Sequence, residues 1–206
     1  MSSNKEELMK RLKERIRNCK KCHLWETRTN AVPGNGNLYS EIMFVGEAPG
    51  YNEDVQGKPF VGAAGKLLNE LLISIGLKRD DVYITNVVKC RPPNNRDPKS
   101  DEIAICSPYL DEEIQIIAPK VIVTLGRHST KYLLSKVGLK SISISRIHGR
   151  TFNISSNNSK VLVIPTFHPA AALYNPRLKN ILVNDFKIIG SIIRGPRRQK
   201  LLDDFF

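Results

Sequence analysis

The segment Lys160-Val-Leu-Val-Ile-Pro-Thr-Phe-His168-Pro169-Ala170 carries the clearest fold signal in the chain. Its apolar run, 161–165, predicts a buried strand. The His168-Pro169 pair ends this strand, because proline has no N–H group with which to continue a sheet. A rigid strand that delivers one imidazole into a proline-fixed loop suits a histidine that contacts a substrate. Taken alone, the pair is equally compatible with a surface loop.

Three other apolar runs, 41–46, 82–88 and 120–126, predict further buried strands. Helical periodicity separates the runs, and the clearest case, 65–75, stops at a glycine that suits a helix C-terminus. Strands joined by helices predict a four-stranded parallel sheet covered on both faces, which is a three-layer α/β/α sandwich. We further expect helices at 4–18, 100–118 (with a kink or restart at Pro108), 127–137 and 178–193, an irregular loop at 47–62 and an excursion or hairpin at 139–158.

The composition bounds the architecture and the partners. A chain of 206 residues, 41% hydrophobic and 25% charged, is long enough for one domain with a full core. We assign residues 1–194 to that domain and residues 195–206 to a C-terminal tail. The net charge of +12 favours nucleic acid over a membrane surface as the partner. Because no apolar run approaches roughly 20 residues, we expect a cytoplasmic protein, and we expect a monomer.

Polar side chains follow the strands of the predicted sheet, where parallel α/β proteins bind their ligands. Glu47 follows the first strand, Asn86 ends the second, Gly126-Arg127-His128 follows the third and His168 follows the fourth. A carboxylate, an amide and an imidazole are therefore expected at one edge. Glu47, in the turn Gly46-Glu-Ala-Pro-Gly50, suits acid–base catalysis or the positioning of water. The same turn also accommodates a solvated structural carboxylate.

Asn86 and Phe60 suit the recognition of a nucleobase. An amide inside an apolar strand needs hydrogen-bond partners, and the Asn86 amide offers an acceptor beside a donor. That pair complements the N3–H and O4 edge of uracil, whereas cytosine presents the inverse pattern. Phe60, in Gly57-Lys-Pro-Phe60-Val-Gly62, supplies a planar wall for stacking. The structural alternatives are an Asn86 that bonds loop backbone and a Phe60 that fills the core.

The chain has four cysteines, with the spacings C-x2-C and C-x15-C: Cys19, Cys22, Cys90 and Cys106. In a reducing compartment such a set favours metal binding over disulfides. Zinc accepts four thiolates and so does a [4Fe–4S] cluster, so the spacing leaves both open. The lack of a second C-x2-C argues against a compact zinc ribbon. Basic residues near the cysteines suggest phosphate tracking, or else a solvated face: Lys20, Lys21, Lys89, Arg91 and Arg96.

In combination, several motifs resemble family 4 of the uracil-DNA glycosylases, the iron–sulfur branch of that superfamily. The match covers about residues 5–190, and its motifs are Gly46-Glu-Ala-Pro-Gly50, Gly57-Lys-Pro-Phe-Val-Gly62, Thr85-Asn86, Cys90-Arg-Pro-Pro-Asn-Asn-Arg96, His168-Pro-Ala170 and the four cysteines. The resemblance implies a uracil-DNA glycosylase-like fold and hydrolysis of the N-glycosidic bond of uracil in single- or double-stranded DNA, which initiates base excision repair. It also implies a structural [4Fe–4S] cluster held by Cys19, Cys22, Cys90 and Cys106.

The resemblance implies a role for each residue of the expected pocket. Phe60 stacks on the flipped uracil, Asn86 reads its edge, and backbone amides around Gly46–Ala48 bind its carbonyl oxygens. His168 donates a hydrogen bond to O2 of the departing uracil anion. Glu47 orients or activates water and favours the cationic sugar.

Two further roles follow from the same resemblance. Glu53 is expected to crowd C5 of the base and exclude the methyl group of thymine. Leu173 is expected to be the wedge that fills the vacated stack. The neighbouring segment Ala170–Ala172 departs from the bulkier residues often seen in this loop of the family.

The C-terminal tail resembles a second, unrelated motif. Its end, Gln199-Lys-Leu-Leu202-Asp-Asp-Phe205-Phe206, matches the sliding-clamp pattern Q-x-x-L-x-x-F-F through Gln199, Leu202, Phe205 and Phe206. Terminal phenylalanines on a polar tail indicate a docking peptide, unless they fold back on the domain. A different interpretation of the whole chain is a non-enzymatic, metal-stabilised nucleic-acid-binding module. That interpretation leaves the polar residues at the strand ends without a role.

Overall fold

A mixed six-stranded sheet forms the centre of the molecule. The computed structural model describes the backbone of residues 2–139, 143–156 and 159–203, and the side chains within 4–139, 143–155 and 159–195. The strands are β1 (Asn35–Gly36), β2 (Ile42–Gly46), β3 (Tyr83–Asn86), β4 (Val121–Leu125), β5 (Phe152–Ser156) and β6 (Ser159–Thr166). They lie in the order β1-β3-β2-β4-β6-β5.

The neighbouring strands β3, β2, β4 and β6 are parallel, as the apolar runs predict. The prediction of a four-stranded sheet is wrong in number, because β1 and β5 extend the sheet as antiparallel edge strands. Neither edge strand carries the apolar run of a central strand. β1 has only two residues, and β5 alternates polar with apolar side chains. The hairpin expected within 139–158 is confirmed in part, because β5 pairs with β6.

Helices connect the strands and cover both faces of the sheet. Their bounds are α1 (Ser2–Arg17), α2 (Leu24–Thr27), α3 (Tyr51–Gln56), α4 (Ala63–Ser74), α5 (Ser100–Ile117), α6 (Arg127–Ser135), α7 (Ile144–Ile147), α8 (Pro169–Ala172) and α9 (Pro176–Asp203). Single 3-10 turns lie at Arg79–Asp81 and Pro93–Asn95. The long predicted helices are confirmed as α1, α4, α5, α6 and α9. Their ends differ by a few residues, except that α9 extends to Asp203, ten residues beyond the predicted end.

The sheet buries one apolar cluster on each face, which confirms the three-layer α/β/α sandwich. Alternate residues of β2 face opposite layers. Met43 and Val45 pack in the cluster that includes α1, α5 and α6, whereas Ile42 and Phe44 pack with α4 and α9. This alternation is that of a strand with both faces covered. None of the described helices is long and apolar enough to cross a membrane.

Two local features differ from the expectation. The segment 47–62 is not wholly irregular, because it contains α3. Pro108 neither stops nor restarts α5, which runs through it. A helical proline lacks the N–H that would bond the carbonyl four residues earlier, at Ala104. Both Pro108 and Ala104 are exposed, so water can reach that carbonyl and the helix continues.

The last helix, α9, is interrupted where the tail was expected to begin. Gly195 has a left-handed φ of 61° and breaks the helical path. The division into a domain, 1–194, and a tail, 195–206, stays a prediction. The side chains of Gln199 and Leu202, and the residues Phe205 and Phe206, lie outside the described part of the chain.

Candidate active site and cysteine cavity

A cavity of about 370 Å³ opens beyond the carboxyl ends of β2, β3 and β6. This volume lies within the range of small-molecule sites in proteins. Its lining brings together six of the residues that the resemblance assigns to uracil: Glu47, Ala48, Glu53, Phe60, Asn86 and His168. The seventh, Gly46, does not line the cavity but lies directly against two residues that do.

The end of β2 requires a glycine at this point. A Cβ atom on Gly46 would lie 2.3 Å from Asn86 Oδ1 and 2.7 Å from the Phe60 ring, well inside the usual packing distance. Phe60 itself is 5% exposed and has a φ of 52°, a strained conformation for a bulky residue. Its ring stacks against the imidazole of His168, with centroids 5.5 Å apart. An aromatic wall is therefore fixed at the base of the cavity.

Asn86 presents an unpaired hydrogen-bond acceptor. The residue ends β3 and is 2% exposed. Among the residues that the structure describes, Asn86 Oδ1 is the one buried side-chain nitrogen or oxygen atom without a hydrogen-bond partner. Such an orphaned group costs about 1–3 kcal/mol. An acceptor kept in a cavity wall at this cost suits a ligand N–H group, and it does not bond the loop backbone.

The imidazole of His168 has a defined tautomer. The backbone N–H of Ala170 donates to His168 Nδ1 over 3.1 Å, so in the neutral ring the proton lies on Nε2. Burial lowers the pKa of His168 to about 4, against the opposing charge of Glu53. The ring is therefore neutral near pH 7 and offers one N–H donor, not a positive charge. This geometry suits the predicted hydrogen-bond donor.

The carboxylate of Glu47 lies among other ionisable groups. His128 Nε2 is 3.8 Å from Glu47 Oε2 and 3.6 Å from Asp97 Oδ2. Burial raises the pKa of Glu47, the charge of His128 opposes the rise, the charge of Asp97 adds to it, and Arg127 opposes it. A half-buried carboxyl with a raised pKa suits acid–base chemistry. The sequence gave His128 no role, although its place after the third strand was the available signal.

Glu53 braces the loop that forms one wall of the cavity. Its carboxylate oxygens accept hydrogen bonds from the backbone N–H groups of Gly50, Val61 and Gly62, at 3.2, 2.9 and 2.9 Å. These bonds tie both ends of the segment between β2 and α4 together. They fix the position of Glu53 in the lining, so the carboxylate is immobile where the methyl group of thymine is proposed to be excluded.

The predicted wedge, Leu173, lies three residues after Ala170, which lines the cavity. Leu173 follows α8, directly after the segment that starts at His168, and is 41% exposed. Its neighbour Tyr174 is 91% exposed, and the sequence gave it no role. Two large exposed side chains beside the cavity are available to contact a partner.

All four cysteines line a second, small and enclosed cavity, and all four are free of disulfides. It joins the segment between α1 and α2 to the segment after β3 and to α5. Arg28 Nη1 donates to Cys90 Sγ over 2.9 Å, and the backbone N–H of Lys89 donates to Cys106 Sγ over 3.2 Å. Hydrogen bonds of this kind stabilise thiolate ligands, as second-sphere contacts do at metal centres.

The thiols are strongly perturbed without a metal. Burial raises the pKa of Cys22, Cys90 and Cys106, the last to about 12. Neighbouring cysteine sulfurs contribute further to each rise. A metal centre would bind these groups as thiolates and remove this cost. The donor set therefore fits a group that coordinates four cysteines.

The distances between the cysteine sulfur atoms bear on whether the group is a single metal ion or a larger cluster. Of the four described cysteines, no three have sulfurs that all lie within 4.8 Å of one another. Thiolates about 2.3 Å from a single zinc ion would be separated by less than about 4 Å. The wider arrangement suits a larger group.

The basic residues near the cysteines were expected to contact phosphate or to face solvent, and their contacts in the structure differ from this expectation. Lys89 is wrong as a phosphate contact, because it is 1% exposed and forms an ion pair with Glu113. The lysine was placed on the surface because its charge suggests solvent, but three oxygen atoms enclose it. Each of the remaining four contacts a neighbouring side chain of the protein. Lys20, Lys21 and Arg91 lie over Trp25, Tyr109 and Tyr51, and Arg96 bonds Glu102.

A strand-end cavity that combines an aromatic wall, an unpaired amide acceptor and a neutral imidazole defines a class of α/β/α protein that binds a planar, hydrogen-bonding ring. The sequence places the chain within one family of that class. Residues 33–187 match the family model described as the uracil DNA glycosylase superfamily. The chain belongs to this superfamily.

Several curated relatives are similar over most of their length. The chain is 58% identical over 199 residues to a type-4 uracil-DNA glycosylase of Sulfurisphaera tokodaii, covering 96% of this chain and 90% of the relative. It is 58% identical over 175 residues to that of Saccharolobus solfataricus, covering 84% and 81%. It is 51% identical over 188 residues to that of Archaeoglobus fulgidus, covering 91% and 94%.

Proposed function

We propose that the protein is a uracil-DNA glycosylase, which hydrolyses the N-glycosidic bond of deoxyuridine in DNA and leaves an abasic site. The observation that carries the proposal is the unpaired Asn86 Oδ1 in the wall of the cavity. The similar curated proteins are named type-4 uracil-DNA glycosylases, and the net charge of +12 on this chain suits a DNA substrate. Base excision repair begins with this reaction.

Recognition requires that the uridine leave the DNA stack and enter the cavity. Its ring stacks on Phe60, and its N3–H donates to Asn86 Oδ1. The adjacent amide nitrogen of Asn86 donates to O4. Cytosine has no N–H at position 3 and carries an amino group at position 4, so both bonds to a fixed amide would be lost. Backbone amides around Gly46–Ala48 are the proposed donors to the carbonyl oxygens.

Bond cleavage gives the sugar oxocarbenium character and leaves negative charge on uracil. His168 Nε2–H donates to O2, where part of that charge develops. A pre-oriented donor at such a position is worth about 2.7–4 kcal/mol. Because the ring is neutral, it stabilises the anion through a hydrogen bond and does not first have to lose a proton. Glu47 orients the attacking water and favours the cationic sugar.

Two further residues set substrate selection and DNA distortion. Glu53, held by backbone hydrogen bonds, occupies the cavity wall where the C5 methyl group of thymine would lie. Leu173 enters the stack that the flipped base leaves. Both roles are supported by position, since Glu53 lines the cavity and Leu173 is exposed three residues after the lining residue Ala170.

A uracil-release assay tests the proposal. Duplexes that contain uracil opposite guanine, thymine opposite adenine or cytosine opposite guanine are incubated with the protein and then treated with alkali. Nicks are expected at uracil alone. Asn86→Asp is expected to relax selectivity towards cytosine, because a protonated carboxyl presents a different donor pattern. Asn180→Asp, at an exposed position of α9, is the matched control. Unaltered discrimination by Asn86→Asp would remove the base-reading role.

We propose that Cys19, Cys22, Cys90 and Cys106 hold a [4Fe–4S] cluster with a structural role. The four free cysteines that line one cavity and the donors to Cys90 and Cys106 support it. The cluster would supply four metal–thiolate bonds that link the N-terminal segment to β3 and α5. Brown protein with iron and acid-labile sulfide is expected. Zinc content with DNA affinity and no base release would instead support the non-enzymatic binding module.

We also propose that the C-terminal tail binds a sliding clamp through Gln199, Leu202, Phe205 and Phe206. The support is the motif and its terminal position. Phe205→Ala with Phe206→Ala should abolish co-elution with a clamp and leave uracil excision by the free enzyme unchanged. Leu201→Ala, which lies off the motif, is the control. Co-elution of the double variant would refute the motif.

A further inference from the structure

We propose that Lys89 is a positioning residue that aims the Asn86 amide and links it mechanically to the cysteine cavity. The inference rests on the proposed base-reading role of Asn86. No motif of the sequence gives Lys89 this task, since one motif ends at Asn86 and the next begins at Cys90.

The ammonium group of Lys89 is enclosed by three oxygen atoms. Its Nζ donates to Thr85 Oγ1, to the carbonyl oxygen of Asn86 and to Glu113 Oε2, each over 2.7 Å. The side chain is 1% exposed and that of Glu113 is fully buried. An ammonium has three N–H donors, so every one of them is used.

Glu113 completes the enclosure from the opposite helix, α5. Its Oε2 also accepts from the Thr85 hydroxyl over 2.7 Å, and its Oε1 accepts from the backbone N–H of Gly34 over 2.8 Å. The paired charges and hydrogen bonds hold the segment after β3 at one distance from α5. A buried pair with all partners in place specifies a geometry, even where its net contribution to stability is small.

The backbone of the same residue contacts the cysteine cavity. The Lys89 N–H donates to Cys106 Sγ over 3.2 Å, and Cys90 is the next residue in the chain. The residue therefore bonds a cysteine sulfur with its backbone and the Asn86 carbonyl with its side chain. No other described residue is hydrogen-bonded to both.

The Asn86 amide depends on this support because its own oxygen is unpaired. What holds residue 86 is its backbone: β3 pairs it with Gly46, and Lys89 fixes its carbonyl. A peptide rotation at that carbonyl would turn Oδ1 away from the N3–H of a bound uracil. Hydrogen bonds weaken steeply with misalignment, so a small rotation has a large effect on recognition.

A double-mutant cycle tests whether Lys89 acts through Asn86. Lys89→Met keeps the length of the side chain and removes its charge and donors. We expect at least a tenfold loss of kcat/KM for uracil excision, and an equal loss of affinity for free uracil by calorimetry. On an Asn86→Ala background the same substitution should change both by less than twofold. Losses of equal size on the two backgrounds would overturn the proposal.

Two further variants separate positioning from folding. Lys89→Met combined with Glu113→Leu removes both buried charges, so no charge is left unpaired. This double variant should fold yet keep the loss of uracil affinity, and full recovery of affinity would make the pair merely structural. Lys136→Met removes an exposed lysine that pairs with Asp111 at 2.8 Å and serves as the matched control.

Visible absorption and iron content are followed in every variant. Loss of the chromophore in step with uracil affinity would place the effect at the cysteines and overturn the proposal. A separate result would contradict the proposed base-reading role of Asn86. If Asn86→Ala alone left uracil affinity unchanged, that role would be wrong, whatever the effect of Lys89→Met.

Discussion

Asn86 and Lys89 belong to one short segment and are both buried, but they differ in whether their side-chain polar atoms have hydrogen-bond partners. Each N–H of the Lys89 ammonium has an oxygen partner. The side-chain oxygen of Asn86 has none. Lys89 lines the enclosed cavity that the cysteines form, and Asn86 lines the open cavity beyond the sheet edge.

The difference separates polar groups that specify the fold from those that await a ligand. A buried charge with every partner supplied by the chain is a structural element, whose loss leaves its partner uncompensated. A buried acceptor with no partner lowers stability and is explained by a ligand that supplies one. The segment 85–90 thus holds one unpaired acceptor, on Asn86, between the fully paired polar groups of Thr85 and Lys89.

The largest expected effect is the destabilisation caused by Lys89→Met. Removal of the ammonium leaves the Glu113 carboxylate buried and unpaired, which costs about 3–5 kcal/mol of unfolding free energy. Urea denaturation of the variant measures it. The combination with Glu113→Leu should recover most of the loss. If the single variant were as stable as the parent, the pair would not be a structural element.

A loss of similar size in the reaction, not in stability, is expected for His168→Ala. The variant lacks the N–H group proposed to donate to O2 of departing uracil, and kcat should fall by about 10²–10³-fold, or about 2.7–4 kcal/mol. Single-turnover excision gives the rate, and urea denaturation near pH 7 should show a smaller loss, of about 1 kcal/mol, because the Ala170 N–H at the start of α8 loses its acceptor. A fall in stability without a fall in rate would mean that His168, like Lys89, stabilises the fold and does not act in the reaction.

The central strands were predictable because each is apolar throughout, as strands buried on both faces must be. β1 and β5 were not, because an edge strand needs no continuous apolar run. The rule that ligands bind at strand ends brought Glu47, Asn86 and His168 together from sequence alone. That rule does not tell which side-chain atoms have hydrogen-bond partners, so only the structure reveals that Asn86 Oδ1 is unpaired.

Lys89 shows where sequence reasoning fails. A lysine beside a cysteine suggests solvent and phosphate, and its burial depends on a carboxylate 24 positions away. The partner did leave a signal. Glu113 follows Cys106 and Leu110 on the buried face of α5, at the spacing of core residues. A carboxylate at a core position requires a buried partner, and a search for one would have indicated Lys89.

Replacement of Asn86 by leucine tests the other side of the comparison. The substitution removes an unpaired buried acceptor and inserts an apolar group of similar size, so stability should hold or rise by up to about 1–3 kcal/mol. Uracil excision should be lost. Thr85→Val, one residue earlier, removes a fully paired hydroxyl and should instead lower stability. Equal destabilisation by both would mean that Asn86 is a structural residue.

The titration of His168 links the cavity to the pH dependence of stability. Burial lowers its pKa from 6.5 to about 4. The unfolded chain therefore binds a proton below about pH 6.5, and the folded protein binds it only near pH 4. The stability that neutral His168 allows is fully present above this window and is lost as the pH falls through it. Urea midpoints at several pH values should show this slope in the parent and a shallower one in His168→Ala.

The smallest expected effect concerns His128, which adjoins Glu47. Burial raises the pKa of Glu47, and the positive charge of His128 opposes that rise. In His128→Gln the opposition is gone, so the pKa of Glu47 should rise further. If the reaction needs the Glu47 carboxylate, the acid limb of kcat/KM for uracil excision should therefore move to higher pH. A limb that moves to lower pH would contradict the assignment of this limb to Glu47, and the acid–base role proposed for Glu47 would then fail.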